Sequence, residues 1–151
     1  KTADKILNAV VEDRYLQAVE DAKKYDQLLD QPDTDLDEIA RTKPLLGVPV
    51  TIKESCSVKG LSLVVGVTFR KGTKATEDGA AVAKLRAAGA IPLLVSTTPE
   101  LCLSISCENL VTGRTRNPYN TSCTSGGSSG GRVDRIWIVF TWNWFRFKRF
   151  S

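Results

Sequence analysis

Two short stretches hold the residues best suited to chemistry. Gly47-Val48-Pro49-Val50-Thr51-Ile52-Lys53-Glu54-Ser55 puts a lysine at the end of an apolar run, and Thr124-Ser125-Gly126-Gly127-Ser128-Ser129-Gly130-Gly131 sets serines among glycines. The chain contains no histidine. A serine nucleophile would therefore need a lysine or a carboxylate as its base. Lysine acts as a base only when neutral, so a reference pKa of about 10.4 has to fall by several units, which burial against apolar walls achieves. Lys53 follows a run that reads as a buried strand and is the lysine best placed for this. The alternative is a strand-end lysine that reaches solvent.

The serine loop also admits more than one reading. Gly/Ser composition is that of a flexible linker, yet glycines on both sides open backbone geometries closed to other residues and let a substrate or neighbouring chain come close. A phosphate cradle is the third reading. It fits poorly, because GxxxxGK[ST] is absent and Arg132 stands where Lys-Ser/Thr would be needed.

The elements that would position these residues alternate helix and strand. From Asp4 to Leu29, Ile6, Val10, Val19, Ala22 and the Leu28-Leu29 pair recur near helical spacing between charged residues, which predicts one amphipathic helix ended before Pro32. A charged turn or short helix through Asp37, Glu38 and Ala40 leads to a buried strand over Leu45–Ile52. Thr76, followed by Glu77 and Asp78, predicts a helix start, with Ala80–Ala88 as its body and Gly89 as its C-cap. Ile91–Val95 is a second strand, with Pro92 near its start. Strand, helix, strand gives an α/β sheet covered by helices, with a right-handed crossover if the strands are parallel. Residues 113–131 form a long loop rich in Asn, Pro, Ser, Thr and Gly, of a length that is usually functional or disordered.

Composition bounds the rest. The chain has 151 residues, 42% hydrophobic and 25% charged, enough for one globular core or part of one. It has no methionine; Lys1 is therefore expected to lie inside a longer reading frame. The longest apolar stretch, Ile136–Phe145, is well short of the roughly 20 residues of a membrane helix, and no signal peptide is visible near Lys1. Cys56, Cys102, Cys107 and Cys123 lack paired CxxC spacing, so reduced thiols are expected and no metal site. No cofactor is expected either. Asn120-Thr121-Ser122 matches a glycosylation sequon, which matters only on the secretory route. Neither a compartment nor an oligomeric state follows from the sequence.

The net charge of +4 divides unevenly. Of the 21 basic and 17 acidic residues, five and one fall in Arg132–Ser151, leaving sixteen of each in residues 1–131. That body is neutral, and no nucleic-acid partner is expected. The last twenty residues also hold all three tryptophans and four of the five phenylalanines. Residues 1–131 are accordingly taken as one unit and residues 132–151 as an anomalous aromatic and basic tail.

Four ordered motifs carry a family resemblance. Gly47-Val48-Pro49-Val50-Thr51-Ile52-Lys53-Glu54, Thr97-Thr98-Pro99-Glu100-Leu101, Gly113-Arg114-Thr115-Arg116-Asn117-Pro118-Tyr119 and Gly126-Gly127-Ser128-Ser129-Gly130-Gly131 resemble the amidase signature family in order and spacing, closest to its fatty-acid amide hydrolase 2 type. The resemblance covers most of the body up to Gly131. It implies part of an amidase signature fold, a mixed sheet covered by helices, and a Ser, cis-Ser, Lys triad that hydrolyses small-molecule amides or esters, with fatty-acid amides as the nearest substrate class. Lys53 matches the family's lysine base, and Ser128 the bridging serine, joined to Gly127 by a cis bond. Ser129, Gly126 and Gly127 are implied to support the pair, and Cys102 and Ser104 correspond to a segment lining the substrate site. Membrane association would come from a missing N-terminal region or from the tail.

The family continues after this loop with Gly-x-Gly-Ser-Asp-x-x-Gly-Ser, whose last serine is the nucleophile and whose amides form the oxyanion hole. Arg132–Ser151 does not match that pattern, so the nucleophile is expected to be absent from this chain. Losing one oxyanion donor alone costs on the order of 100-fold or more in rate, and losing both elements should leave no measurable catalysis. The genetic code offers a reason for the mismatch. Read one base later, any TGG codon begins a GGN glycine codon, so Trp137, Trp142 and Trp144 become G-x-x-x-x-G-x-G, and the neighbouring codons permit a match to the missing segment with its nucleophile encoded across Phe150 and Ser151. Residues 132–151 are thus read as a frameshifted translation. The alternative is a genuine segment lying on an anionic membrane surface, although its Trp and Phe do not share one helical face.

Overall fold

The most apolar run, Ile91-Pro92-Leu93-Leu94-Val95, forms the central strand of a three-stranded sheet in a computed structural model that describes residues 4–131. In chain order the elements are helix α1 (Asp4–Leu7), strand β1 (Val10–Asp13), helix α2 (Tyr15–Leu29), helix α3 (Leu36–Thr42), strand β2 (Pro49–Lys53), helix α4 (Ala80–Ala87), strand β3 (Ile91–Ser96) and the short strands β4 (Glu108–Asn109) and β5 (Gly113–Arg114). The sheet order is β1-β3-β2, with β2 parallel and β1 antiparallel to β3. This is the expected mixed α/β architecture. A parallel pair needs a crossover connection, and α4 lies on the segment that supplies it.

Five of the six β3 residues are buried, as expected of a strand covered on both faces. Around it Ile52, Val58, Leu61, Val82 and Val95 make one cluster, with Val11, Val50 and Leu85 packed against it. Burying each such side chain contributes roughly 1.5–3 kcal/mol. From α4, Val82 belongs to this cluster and Leu85 packs against it. Gly89 ends the helix segment with φ +91°, and a Cβ there would lie 2.7 Å from Leu46 Cα, so glycine is required on both counts.

Three expectations need correction. The strand predicted over Leu45–Ile52 begins only at Pro49 and runs to Lys53; residues 44–47 form a turn in which Leu45 N donates to Ala88 O and Val48 N to Leu45 O, so this stretch is tied to the end of α4 before the chain enters the sheet. The single helix predicted over Asp4–Leu29 is two helices separated by β1. Asp4 Oδ1 accepts from the backbone N–H of Ala9 and Val10 at 2.7 and 2.9 Å, and Asn8 takes φ +53°, so the chain reverses after α1. The β-branched Val10 and Val11 then enter the sheet, where Val10 pairs with Ser96. Helix α4 begins at Ala80, not at Thr76. Asp78 is engaged elsewhere, accepting from Lys59 N at 2.7 Å and pairing with Arg86 at 2.7 Å, while Gly79 N donates to Ser57 O. Tertiary contacts displace the local helix-start signal. Within the predicted loop of residues 113–131, only Gly113–Arg114 forms a strand, paired with Glu108–Asn109.

The short helix expected near Asp37 is α3, capped by Asp35, whose side chain accepts from the N–H groups of Asp37 and Glu38. Among the described residues no helix is long and apolar enough to cross a membrane. The tail Arg132–Ser151, with its frameshift and membrane-surface readings, lies outside the described residues.

Candidate functional site

Lys53 is the last residue of β2 and pairs with Ser96 of β3, so its backbone is fixed by the most buried strand of the fold. Strand alternation puts Lys53 on one face with Thr51, and Val50, Ile52 and Glu54 on the other. The lysine Nζ donates to Ser128 Oγ at 2.8 Å and to Ser129 Oγ at 3.3 Å. Residues 75 and 76 positions apart in sequence thus meet at one amine. Lys53 and Ser128 are half-buried and Ser129 is exposed, so the amine is shielded only in part.

The serine loop is seated by backbone contacts. The Gly127–Ser128 peptide is cis, and Gly126 has φ +80°. A Cβ on Gly127 would lie 2.5 Å from Ser104 O and 2.6 Å from Ile105 C, so the loop passes directly over that backbone. Further along, Gly131 abuts Thr97, where a Cβ would fall 2.7 Å from its amide nitrogen, and Gly130 abuts Cys107 and Ser125. Beneath them the buried hydroxyls of Thr97 and Thr115 share a hydrogen bond of 2.6 Å, Thr115 Oγ1 donates to Asn8 O, and Ser125 Oγ donates to Thr115 O. A Gly/Ser stretch that could have been a linker is therefore packed against buried polar side chains.

Cys102 sits in a 3₁₀ turn over Glu100–Cys102, beside Lys53. Its Sγ lies 3.1 Å from Thr98 Oγ1. Partial burial pushes the thiol up, but hydrogen bonds with Thr98 and Ser55 and the adjacent Lys53 amine outweigh it, and its pKa falls below the ordinary 9.0. Cys56, Cys107 and Cys123, like Cys102, are free thiols.

Among the candidate residues, Lys53, Ser128, Ser129 and Cys102 come together, with Gly126 and Gly127 shaping the loop. Ser104 stands apart in one respect. Its hydroxyl is exposed and accepts from Ser106 N at 3.1 Å, so it meets the loop through its carbonyl at Gly127 and not through its side chain. Sequence reading passed over Ser55 and Thr98, the hydroxyl partners of Cys102, and Glu54, a carboxylate only 2% exposed. The signal for Glu54 was present, since it has the parity of Val50 and Ile52 on an apolar strand. Nothing in the local sequence of Ser55 or Thr98 marks them, because their meeting depends on two separate segments.

A lysine amine bonded to a serine hydroxyl, which has room for a second donor or acceptor, can pass a proton between that hydroxyl and a further group. The chain is 38% identical over 126 residues to fatty-acid amide hydrolase 2-A of Danio rerio, covering 83% of this chain and 24% of that protein. In three dimensions it superposes on a solved fatty acid amide hydrolase with a TM-score of 0.77 at 23% identity, over 87% of this chain and 22% of that one. A peptide amidase from Stenotrophomonas maltophilia gives 0.69 at 29% identity, over 85% and 26%. The chain thus spans about a quarter of the length of the relatives it matches. The Amidase family model matches residues 1–133, nearly the whole chain, and the chain therefore belongs to the amidase family.

Proposed function

We propose that the chain carries two members of a serine, cis-serine, lysine triad for hydrolysing amides or esters, with Lys53 as the base and Ser128 as the relay. The observation that carries this reading is the 2.8 Å hydrogen bond from Lys53 Nζ to Ser128 Oγ. In the neutral state the amine draws the Ser128 proton, and Ser128 in turn takes the proton of the attacking serine, so that one hydroxyl bridges base and nucleophile. Ser129 holds the amine from a second side, which restricts where its lone pair points. The names of the relatives make fatty-acid amides the proposed substrate class; the acyl group passes to the nucleophile as the C–N bond breaks, the amine leaves with the proton returned through Ser128, and water then releases the acid.

The nucleophile itself belongs to the segment that Arg132–Ser151 does not match, so the 151-residue chain as written is proposed to be inactive. A fluorophosphonate probe, which reacts with activated serines, tests this. No specific labelling is expected. Labelling that disappears in Lys53→Ala would show that a nucleophile is present after all. Sequencing the transcript beyond the Gly131 codon tests the frameshift: a continuous frame encoding the tail as written, with a tail peptide seen by mass spectrometry, would sink it. If the other frame is found, the protein it encodes should label, and Lys53→Ala should remove the label. Labelling that survives Lys53→Ala would rule out the lysine as base.

A further inference from the structure

One buried charged group beside the site takes no part in the proposed relay. Glu54 follows Lys53 but turns to the core side of β2, where it is 2% exposed. Its Oε1 accepts from Ser62 Oγ at 2.8 Å and Val64 N at 2.5 Å, and its Oε2 from Val65 N at 2.7 Å. All three donors are neutral. A desolvated carboxylate is costly unless its lone pairs are met, and hydrogen bonds to an ionised acceptor are about twice as strong as neutral ones. The side chain therefore grips residues 62–65 more firmly than backbone contacts of a surface loop would.

The gripped loop touches the wall of the site. Val65 takes φ +54°, and its carbonyl accepts from Leu101 N at 3.0 Å. A Cβ on Gly66 would lie 2.9 Å from Glu100 Cα and N, so the two backbones are in contact. Leu101 and Cys102 take φ +49° and +63° in succession, a conformation that non-glycine residues keep only where their surroundings impose it. Cys102 is the residue of that turn beside Lys53.

We propose that Glu54 is a positioning residue: by tying residues 62–65 to the end of β2 it holds the Glu100–Cys102 turn, and thereby the Cys102 thiol, in place against Lys53. The proposal rests on the reading of Lys53 and Ser128 as the site, and adds a residue that bonds to neither. It makes the carboxylate a brace between the strand that carries the amine and the turn that walls it.

The test uses the Cys102 thiol of the 151-residue chain as a reporter, alkylated with iodoacetamide across pH and followed at the Cys102 peptide by mass spectrometry. Lys53 is the charged group facing this thiol, with Thr98 and Ser55 as its hydroxyl partners. In the wild type the Cys102 midpoint should lie below the ordinary thiol value of 9.0. Lys53→Met should move it upward. Glu54→Gln, which sets an amide where three donors converge, should also move it upward while Cys123 keeps its profile, and Glu54→Asp, which keeps the charge, should restore part of the difference. Amides of residues 64, 65 and 101 should exchange slowly in the wild type and faster together in Glu54→Gln.

An unchanged Cys102 profile in a folded Glu54→Gln protein overturns the proposal. Collapse of the whole fold in both Glu54 variants overturns it as well, because Glu54 would then be a general core residue. So does rapid exchange of residues 64 and 65 in the wild type. If Lys53→Met leaves Cys102 unmoved, the juxtaposition of the amine and thiol at the site is wrong; if Lys53→Met shifts it and Glu54→Gln does not, only the brace fails.

Discussion

At the scale of single residues, the candidate site depends on where backbone can approach backbone. Gly127 illustrates this. Its Cα hydrogens face the carbonyl of Ser104 and the carbonyl carbon of Ile105, where a Cβ would fall 2.5 and 2.6 Å away. Neither neighbour is the tip of a flexible side chain, so neither can yield cheaply. Gly127→Ala should destabilise the chain by about 1–3 kcal/mol, the usual cost of overpacking, and should draw Ser128 away from Lys53. Urea denaturation reads the first effect, and a rise of the Cys102 alkylation midpoint, as the freed Lys53 amine loses its fixed place beside the thiol, reads the second. A Gly127→Ala protein with wild-type stability would show that the loop is seated differently.

At the scale of elements, helices α2 and α4 are joined to each other and to β3 by charges as well as by apolar contact. Arg14, at the start of α2, donates to Pro92 O of β3 at 2.7 Å and to Asp21 Oδ2 at 2.8 Å, and Arg86 of α4 lies 3.8 Å from the same carboxylate. Partial burial pushes the Asp21 carboxyl up, but Arg14 and Lys24 outweigh it and hold its pKa below the ordinary 3.8. The sign of the pH effect follows. A carboxylate that is easier to ionise when folded contributes stability above its unfolded pKa, and that contribution is lost as pH falls through the lower folded value. Asp21→Asn should therefore destabilise the chain at neutral pH, and the gap to the wild type should close below about pH 3.8. Thermal unfolding of both proteins across pH checks this; a gap independent of pH would mean that Asp21 acts through packing alone.

At the scale of the whole molecule, β3 organises everything else. It is flanked by both other strands of its sheet, leads directly to the buried Thr97 and Thr98, and through Thr97 meets the end of the serine loop. Leu94 is among its most buried side chains, at 2% exposure. Leu94→Ala should cost about 2–5 kcal/mol through lost transfer energy and the cavity left behind. The midpoint of urea unfolding should fall with little change in slope. A shift of less than about 0.5 kcal/mol, the size of an ordinary surface change, would mean that β3 is not the core strand described.

What was legible beforehand follows the range of the forces involved. The amino-acid order alone determined β3, the body of α4, the Gly89 cap and the core of β2, because apolar runs and cap residues act over a few positions; it began β2 four residues early, at Leu45, whose N–H is held instead by Ala88 O. It also marked Lys53 and Ser128 through motifs whose spacing resembles a family. It read Asp4–Leu29 as one helix, since periodicity there cannot register that Val10 and Val11 find a partner at Ser96, more than eighty positions away. Only the tertiary structure decided that β1 exists, that Asp78 serves Lys59 and Arg86 before it serves a helix start, and that Glu54 grips a loop touching the turn of Cys102. Each of these is a hydrogen bond or ion pair between separate segments, and its energy appears only when the core has brought those segments together.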